Sequence, residues 1–251
     1  MTHAVSEAWS RPALFWVETV PEGGEVLLEG AEGRHAADVR RVRPGEVVLL
    51  GDGAGTRARA RVTEVGRSRV TTSVLERRAE DEPPLRITLA QALVKGDRAE
   101  LAVELATEAG VDAILPWRAD RCVARWDDGV RGEKALARWR ATAREAAKQA
   151  RRARVPDVAP PATTRDLAAR DADAVLVLEA TAAESLAGVA LPERGELVLV
   201  VGPEGGVTDD ERALLAGAGA REVRMGPGVL RTSTAAAVAL GALGARTGRW
   251  G

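Results

Sequence analysis

Cysteine, histidine and lysine are scarce in this chain of 251 residues. The single cysteine, Cys122, excludes an internal disulfide and a multi-thiolate metal site. Two histidines, His3 and His35, are too few for a histidine-built metal centre. A long hydrophobic run is also missing: the stretch of apolar and small residues from Ala235 to Ala245 is too short to cross a bilayer. The opening MTHAVSEAWSRP lacks the cationic and then apolar order of a secretory signal, so the expected location is the cytoplasm, with no membrane partner. Nor is there an excess of either charge. Lys+Arg number 36 against 37 Asp+Glu, so any affinity for a polyanion has to come from uneven placement. Only Lys95, Lys134 and Lys148 are lysines; arginine and alanine abound, as a GC-rich genome would produce, so the position of each arginine carries more information than their number. What is present is a 45% apolar fraction, enough for one large core or two small ones.

The segment Glu80-Asp81-Glu82-Pro83-Pro84 reads as an exposed connector, and the pattern changes across it. Before it, strand-like runs (Leu14 to Glu18, Glu25 to Leu28, Glu46 to Leu50, Arg57 to Val65, Arg69 to Leu75) alternate with Gly and Pro turns, predicting a small β-barrel over residues 1–80. After the linker at 81–84, residues 85–251 alternate apolar runs (Arg86 to Val94, Asp112 to Leu115, Ala174 to Leu178, Leu197 to Val201, Glu222 to Met225) with helical stretches. That is the pattern of an α/β domain on a mainly parallel sheet. Two side-chain-capped helix starts are predicted, at Asp97-Arg-Ala-Glu100 and Thr208-Asp-Asp-Glu211, the first helix stopping near Gly110.

The second helix start follows a buried strand, Leu197 to Val201, and a tight loop, Gly202-Pro203-Glu204-Gly205-Gly206. Open α/β sheets bind ligands beyond such carboxyl ends. The loop carries neither a dinucleotide fingerprint nor a phosphate-cradling GK[ST], so backbone groups holding a ligand without a phosphate fit it better. Taken alone, an ordinary strand-to-helix turn explains it as well. A second loop, Met225-Gly-Pro-Gly-Val-Leu-Arg231, again joins a strand to a helix, one built almost wholly of small residues, and two such loops could wall one pocket. Arg231, between a glycine-rich loop and an apolar helix, is either a salt-bridge anchor or a contact to substrate.

The motifs GPEGG (Gly202 to Gly206), GPGVLRTSTA (Gly226 to Ala235) and KGDRAELAVELATEAGVDAILP (Lys95 to Pro116), in this order, resemble the bacterial RsmE family of 16S ribosomal RNA uridine N3-methyltransferases. RHAADVRRVRPGE (Arg34 to Glu46) and GDGAG (Gly51 to Gly55) resemble that family's PUA-like RNA-binding barrel. The resemblance implies a SPOUT-type parallel-sheet domain with a trefoil knot and a dimer interface over 85–251. It also implies S-adenosyl-L-methionine as cofactor, and 16S ribosomal RNA or the small ribosomal subunit as partner. Leu178, Glu179, Gly202, Pro203, Gly205, Gly206, Met225, Gly226, Val229, Leu230 and Ala235 would then hold the cofactor. Arg231 would orient the base or stabilise negative charge on uracil oxygens, with Glu204 or solvent taking the N3 proton. The family's usual LRTETA reads Leu230-Arg-Thr-Ser-Thr-Ala235, so Ser233 stands where a carboxylate is usual.

Two basic runs point to RNA without help from the resemblance. Period-2 alternation sets Arg57, Arg59 and Arg61 on one strand face. From Lys134 to Arg154 there are eight basic residues and one acid, with Arg140, Arg144 and Lys148 striping one helical face. Arg57, Arg59, Arg61, Arg144, Arg152 and Arg154 are the RNA contacts these runs predict; Arg34, His35 and Arg41 are those the resemblance implies, His35 in a structural or an RNA-contact role. Trp117, Trp126 and Trp139 default to core packing. Two competing readings stay open: a non-catalytic RNA-binding or ribosome-assembly protein on this fold, and a methyltransferase acting at another RNA position.

Overall fold

A computed structural model of the chain describes residues 7–127 and 129–250, so His3 and the leading segment lie outside the described residues. The chain forms two compact units, Met1–Glu82 with Ala147–Val155, and Pro83–Ala146 with Pro156–Gly251.

The first unit is built on strands. A short helix α1 (Glu7–Ser10) precedes β1 (Leu14–Trp16) and β2 (Glu25–Leu28). Helix α2 (Gly30–Arg34) runs into a π-helical turn, His35–Val39, before β3 (Val47–Gly51), β4 (Thr56–Gly66) and β5 (Arg69–Ala79). The sheet order is β1-β3-β4-β5-β2, with β1 parallel to β3 and the other pairs antiparallel. Register shifts at Arg59/Ala60 and Val62/Glu64 mark irregularities that bend the long β4–β5 ribbon. β1 is buried throughout and β3 nearly so, because two apolar clusters meet there: one around Phe15, Val48 and Leu50, the other around Trp9, Trp16 and Leu49.

The sequence reading assigns everything from residue 85 onward to the second domain, but Ala147–Val155 folds with the first unit. Its cations explain why. Lys148 Nζ lies 2.8 Å from both carboxylate oxygens of Glu32, and Arg151 Nε donates to the Pro12 carbonyl at 2.9 Å. Arg154 donates to the Ala54 and Glu80 carbonyls, and the Val155 amide to the Gly53 carbonyl. All of those acceptors lie before residue 83.

The second unit alternates strand and helix: β6 (Leu85–Ala92), α3 (Arg98–Glu108), β7 (Ala113–Arg118) and α4 (Val130–Gln149), whose last turn belongs to the first unit. Next come β8 (Asp157–Val158), β9 (Ala162–Thr163), α5 (Thr164–Ala168) and β10 (Ala174–Leu178). Then follow β11 (Gly195–Val201), α6 (Asp209–Gly217), β12 (Arg221–Val223) and α7 (Thr232–Arg246). Every strand pair is parallel, in the order β12-β10-β11-β6-β7-β8, with β9 also on β7. Central strands of such a sheet are covered on both faces, which the unbroken Leu197–Val201 burial reflects. Trp117 and Trp139 are fully buried, and Trp126 meets Trp139 edge to face at 5.0 Å.

Of the two predicted helix caps one forms. Thr208 Oγ1 accepts the Glu211 amide at 3.3 Å while Glu211 Oε2 accepts the Thr208 amide at 3.1 Å, a reciprocal capping box. Asp97 makes no capping bond: it already has helical backbone angles, because Gly96 (φ +67°) makes the sharp turn just before it. Gly110 (φ +95°) ends α3 as the sequence indicates. Among the described residues no helix is long and apolar enough to cross a membrane.

Candidate functional site

Strand order and register create the site. β11, β10 and β12 are neighbours, and Leu178 at the end of β10 pairs with Val201 of β11 and with Val223 of β12. Three strands therefore end level, and the loops that leave them rise side by side at the carboxyl edge of the sheet, where parallel α/β folds place ligands. Between them lies a cavity of about 420 Å³, within the range of small-molecule sites.

Each loop contributes differently. Leu178 and Glu179 line the cavity from β10; the Glu179 side chain accepts the Thr181 amide and hydroxyl, and so holds its own turn. From β11 come Gly202, Pro203, Glu204 and Gly206. A Cβ on Gly202 would sit 2.8 Å from Val207 Cγ2, so only glycine lets Val207 close beneath the loop. The Gly206 amide bonds to the Pro203 carbonyl at 2.9 Å, and Gly206 takes φ +74°, tightening the turn. From β12 come Met225, Gly226, Val229, Leu230 and Arg231, with Ala235 from the first turns of α7. The predicted residue that does not line the cavity is Gly205: it lies under Arg121, whose Nη1 donates to the Gly205 carbonyl at 3.0 Å.

Val201, Val207 and Val223 add an apolar floor, and buried Thr232 and Ser233 add hydroxyls. Where the family resemblance leads one to expect a carboxylate, Ser233 thus presents a hydroxyl to the same space. Arg98, at the start of α3, also lines the cavity. The sequence reading missed it, for its only signal was the KGDR run that precedes the helix. Neither Arg98 nor Arg231 makes a side-chain hydrogen bond or ion pair to a described residue, and both are exposed. Glu204 is likewise exposed and unpartnered among the described residues, unlike Glu179. Apolar walls, backbone groups of three loops, two arginines and a carboxylate suit a ligand with a flat ring and a small charged end. Cys122 is buried, and that burial pushes its thiol up, away from nucleophilic use.

The expected RNA contacts divide into two groups. Arg34, Arg41, Arg61 and Arg144 are exposed, Arg41 with φ 52°, and Arg152 is half-buried. His35 is half-buried too, its ring 5.8 Å from that of Phe15. The remaining cations are engaged inside the first unit. Arg57 is 8% exposed and donates to the Arg151 carbonyl and to Glu80. Arg59 pairs with Glu76 at 3.3 Å, and Arg154 closes over Gly55. The row of three free guanidinium groups expected on β4 is therefore reduced to Arg61. The helical stripe likewise loses Lys148, buried against Glu32, while Arg140 Nε binds the Val158 carbonyl at 3.0 Å.

The sequence matches the RNA methyltransferase domain family over residues 81–244 and the RNA methyltransferase PUA domain family over residues 28–75. It is 53% identical over 246 residues to the ribosomal RNA small subunit methyltransferase E of Mycobacterium bovis, covering 94% of this chain and 93% of that one. The fold is similar to the crystal structure of a ribosomal RNA small subunit methyltransferase E from Neisseria gonorrhoeae bound to S-adenosyl methionine. That likeness has a TM-score of 0.83 and 32% identity, over 94% of this chain and 98% of that one. It is also similar to the structure of a Legionella pneumophila protein in complex with the bound cofactor SAM, with a TM-score of 0.82 and 28% identity, over 94% and 98% of the two chains.

Proposed function

The chain belongs to the ribosomal RNA small subunit methyltransferase E family, and on that premise we propose that it methylates N3 of a uridine in 16S ribosomal RNA, using S-adenosylmethionine. The observation that carries the reading is one cavity walled by three level loops, with Arg231 at its wall and without a side-chain partner among the described residues. Its lining fits the cofactor: Leu178, Val201, Val207 and Val223 offer apolar contact to a purine, and the loop residues that line it, Gly202, Pro203, Glu204 and Gly206, offer backbone groups to ribose and amino acid groups. When bound, the cofactor supplies a methyl group already activated on a sulfonium. The protein's own task is alignment and proton handling.

Arg231 occupies the N-cap position of α7, where the Ala235 amide bonds to its carbonyl at 2.9 Å, so its backbone is fixed while its guanidinium stays free. There it stabilises the negative charge that gathers on the uracil oxygens as the N3 proton leaves. Glu204 takes that proton, since the other cavity carboxylate, Glu179, is committed to Thr181. A paired uridine has N3 occupied, so the base has to be unstacked to enter. Exposed Arg34, Arg41, Arg61 and Arg144 are the RNA contacts in this reading.

The remaining expectations belong to the same reading. A homodimer is supported by the exposed apolar side chains of Leu101 on α3 and Val238 on α7. A trefoil knot is supported by the chain path: it leaves β12 at the sheet edge, yet α7 packs on β11, β6 and α3 nearer the middle. A cytoplasmic location accords with an RNA substrate.

Nucleoside mass spectrometry of ribosomal RNA from a strain lacking the protein names both base and atom: loss of N3-methyluridine is expected, and its persistence refutes the proposal. In the purified protein, Arg231→Ala should slow methyl transfer about 100-fold or more, with calorimetric cofactor affinity unchanged. Loss of cofactor binding, or an unchanged rate, would overturn the role given to Arg231.

A further inference from the structure

The turn that leaves β7, Ala119–Cys122, contributes nothing to the cavity lining, yet it grips the Gly202–Gly206 loop near one point and its helical exit at another. Arg121 does the first. Its Nη1 donates to the Gly205 carbonyl at 3.0 Å, and its stem lies so close that a Cβ on Gly205 would stand 3.2 Å from Arg121 Cβ. Glu211 does the second. This carboxylate is on a residue only 4% exposed and accepts four hydrogen bonds. Oε1 takes the Asp120 amide at 3.0 Å and the Thr164 hydroxyl at 2.8 Å; Oε2 takes the Thr208 amide at 3.1 Å and the Thr208 hydroxyl at 3.0 Å. Thr164 is held in turn by the indole N–H of the fully buried Trp117 at 3.2 Å. One carboxylate thus joins the β7 turn, the start of α5 and the start of α6.

Within the loop the bond from the Gly206 amide to the Pro203 carbonyl tightens the turn but leaves the position of the turn as a whole to outside contacts, and any order the loop lacks before binding lowers affinity. The geometry assigns Arg121 and Glu211 as positioning residues. They do not line the cavity, but they clamp the Gly202–Gly206 loop in the shape that receives the cofactor, Arg121 at Gly205 and Glu211 at the loop's exit into α6. This rests on the reading of that loop as part of the S-adenosylmethionine site.

The test uses the full chain, with S-adenosylhomocysteine as the calorimetric probe and hydrogen exchange read at the Gly205, Gly206 and Val207 amides. Arg121→Ala should bind the probe about 10-fold more weakly, the effect of one charge-assisted hydrogen bond. Loop amides should exchange faster, and the melting temperature should fall by no more than about 6 °C. In turnover, the cofactor KM should rise more than kcat falls, while the RNA KM stays put. Arg121→Lys, which keeps a stem over Gly205 and a donor, should recover part of the affinity. Glu211→Gln sets a donor against either the Asp120 or the Thr208 amide; if it lowers the melting temperature, Arg121→Ala still decides the matter. Probe affinity within twofold of the parent, together with unchanged loop exchange in Arg121→Ala, overturns the clamp. If the parent protein itself fails to bind the probe, the cofactor reading has failed instead, and the exchange arm still judges the clamp.

Discussion

Replacing Gly202 by alanine probes how closely the floor and loop of the cavity are fitted. The backbone there is not left-handed, so the cost is steric: the new Cβ would lie 2.8 Å from Val207 Cγ2. Val207 is 7% exposed and β-branched, which leaves it few rotamers into which to retreat. Overpacking of this kind costs about 1–3 kcal/mol. For a unit of this size each kcal/mol lowers the melting temperature by roughly 2–4 °C, so a drop of about 2–12 °C is expected. Val207→Ala alone should cost about 1–2 kcal/mol through the lost methyl groups. In the double variant the added methyl occupies the space that the valine vacates, so the two losses should fall short of their sum by about 1 kcal/mol or more. Urea denaturation of all four proteins measures that coupling. Losses that add to within about 0.4 kcal/mol would refute the reasoning, since they would mean that the two side chains do not compete for one space.

Lys148→Ala should destabilise the first unit by roughly 2–3 kcal/mol, because it strands the Glu32 carboxylate in a largely buried position. RNA affinity by filter binding should stay within about twofold of the parent, and a weakened RNA complex with an unchanged melting temperature would restore the lysine to the RNA surface. Glu196 gives a pH signature. Burial pushes its carboxyl up, but hydrogen bonds from Arg170 and Thr88 outweigh that and hold it below the ordinary glutamate value. Its stabilising contribution is therefore complete above about pH 4.3 and lost as pH falls through the lowered value. The melting-temperature gap between the parent and Glu196→Gln should be widest near neutrality and close toward pH 3; a gap of constant size across that range would show that Glu196 acts through packing alone.

The parallel sheet was legible because its strands are buried on both faces and read as apolar runs, as at Leu197–Val201. β8 and β9, two residues each, have no such run to show. Helix α5 escaped for the same reason, although Thr163 and Asp166 form a complete capping box in front of it. The two glycine loops marked the cavity, since close backbone approach needs glycine at Gly202, a local demand visible in the sequence. Arg98 reaches the same cavity from the start of α3, the helix that follows β6, and such convergence follows from β6 lying beside β11 rather than from any local pattern. The basic runs show the converse failure. Their spacing is plain, but Arg57 with Glu80, Arg59 with Glu76 and Lys148 with Glu32 pair across long sequence separations, so a stripe on paper becomes in part an internal ion-pair set.

The return of Ala147–Val155 to the first unit governs how this protein is made and taken apart. On the ribosome, the strands up to Ala79 emerge long before the cations that satisfy Glu32 and the Pro12, Ala54 and Glu80 carbonyls, so the amino-terminal fold waits unfinished while much of its successor is synthesised. Severing the chain at Pro83–Pro84 would yield an incomplete fragment. A fragment meant to carry the whole of this unit has to include residues 147–155 as well as those up to Glu82.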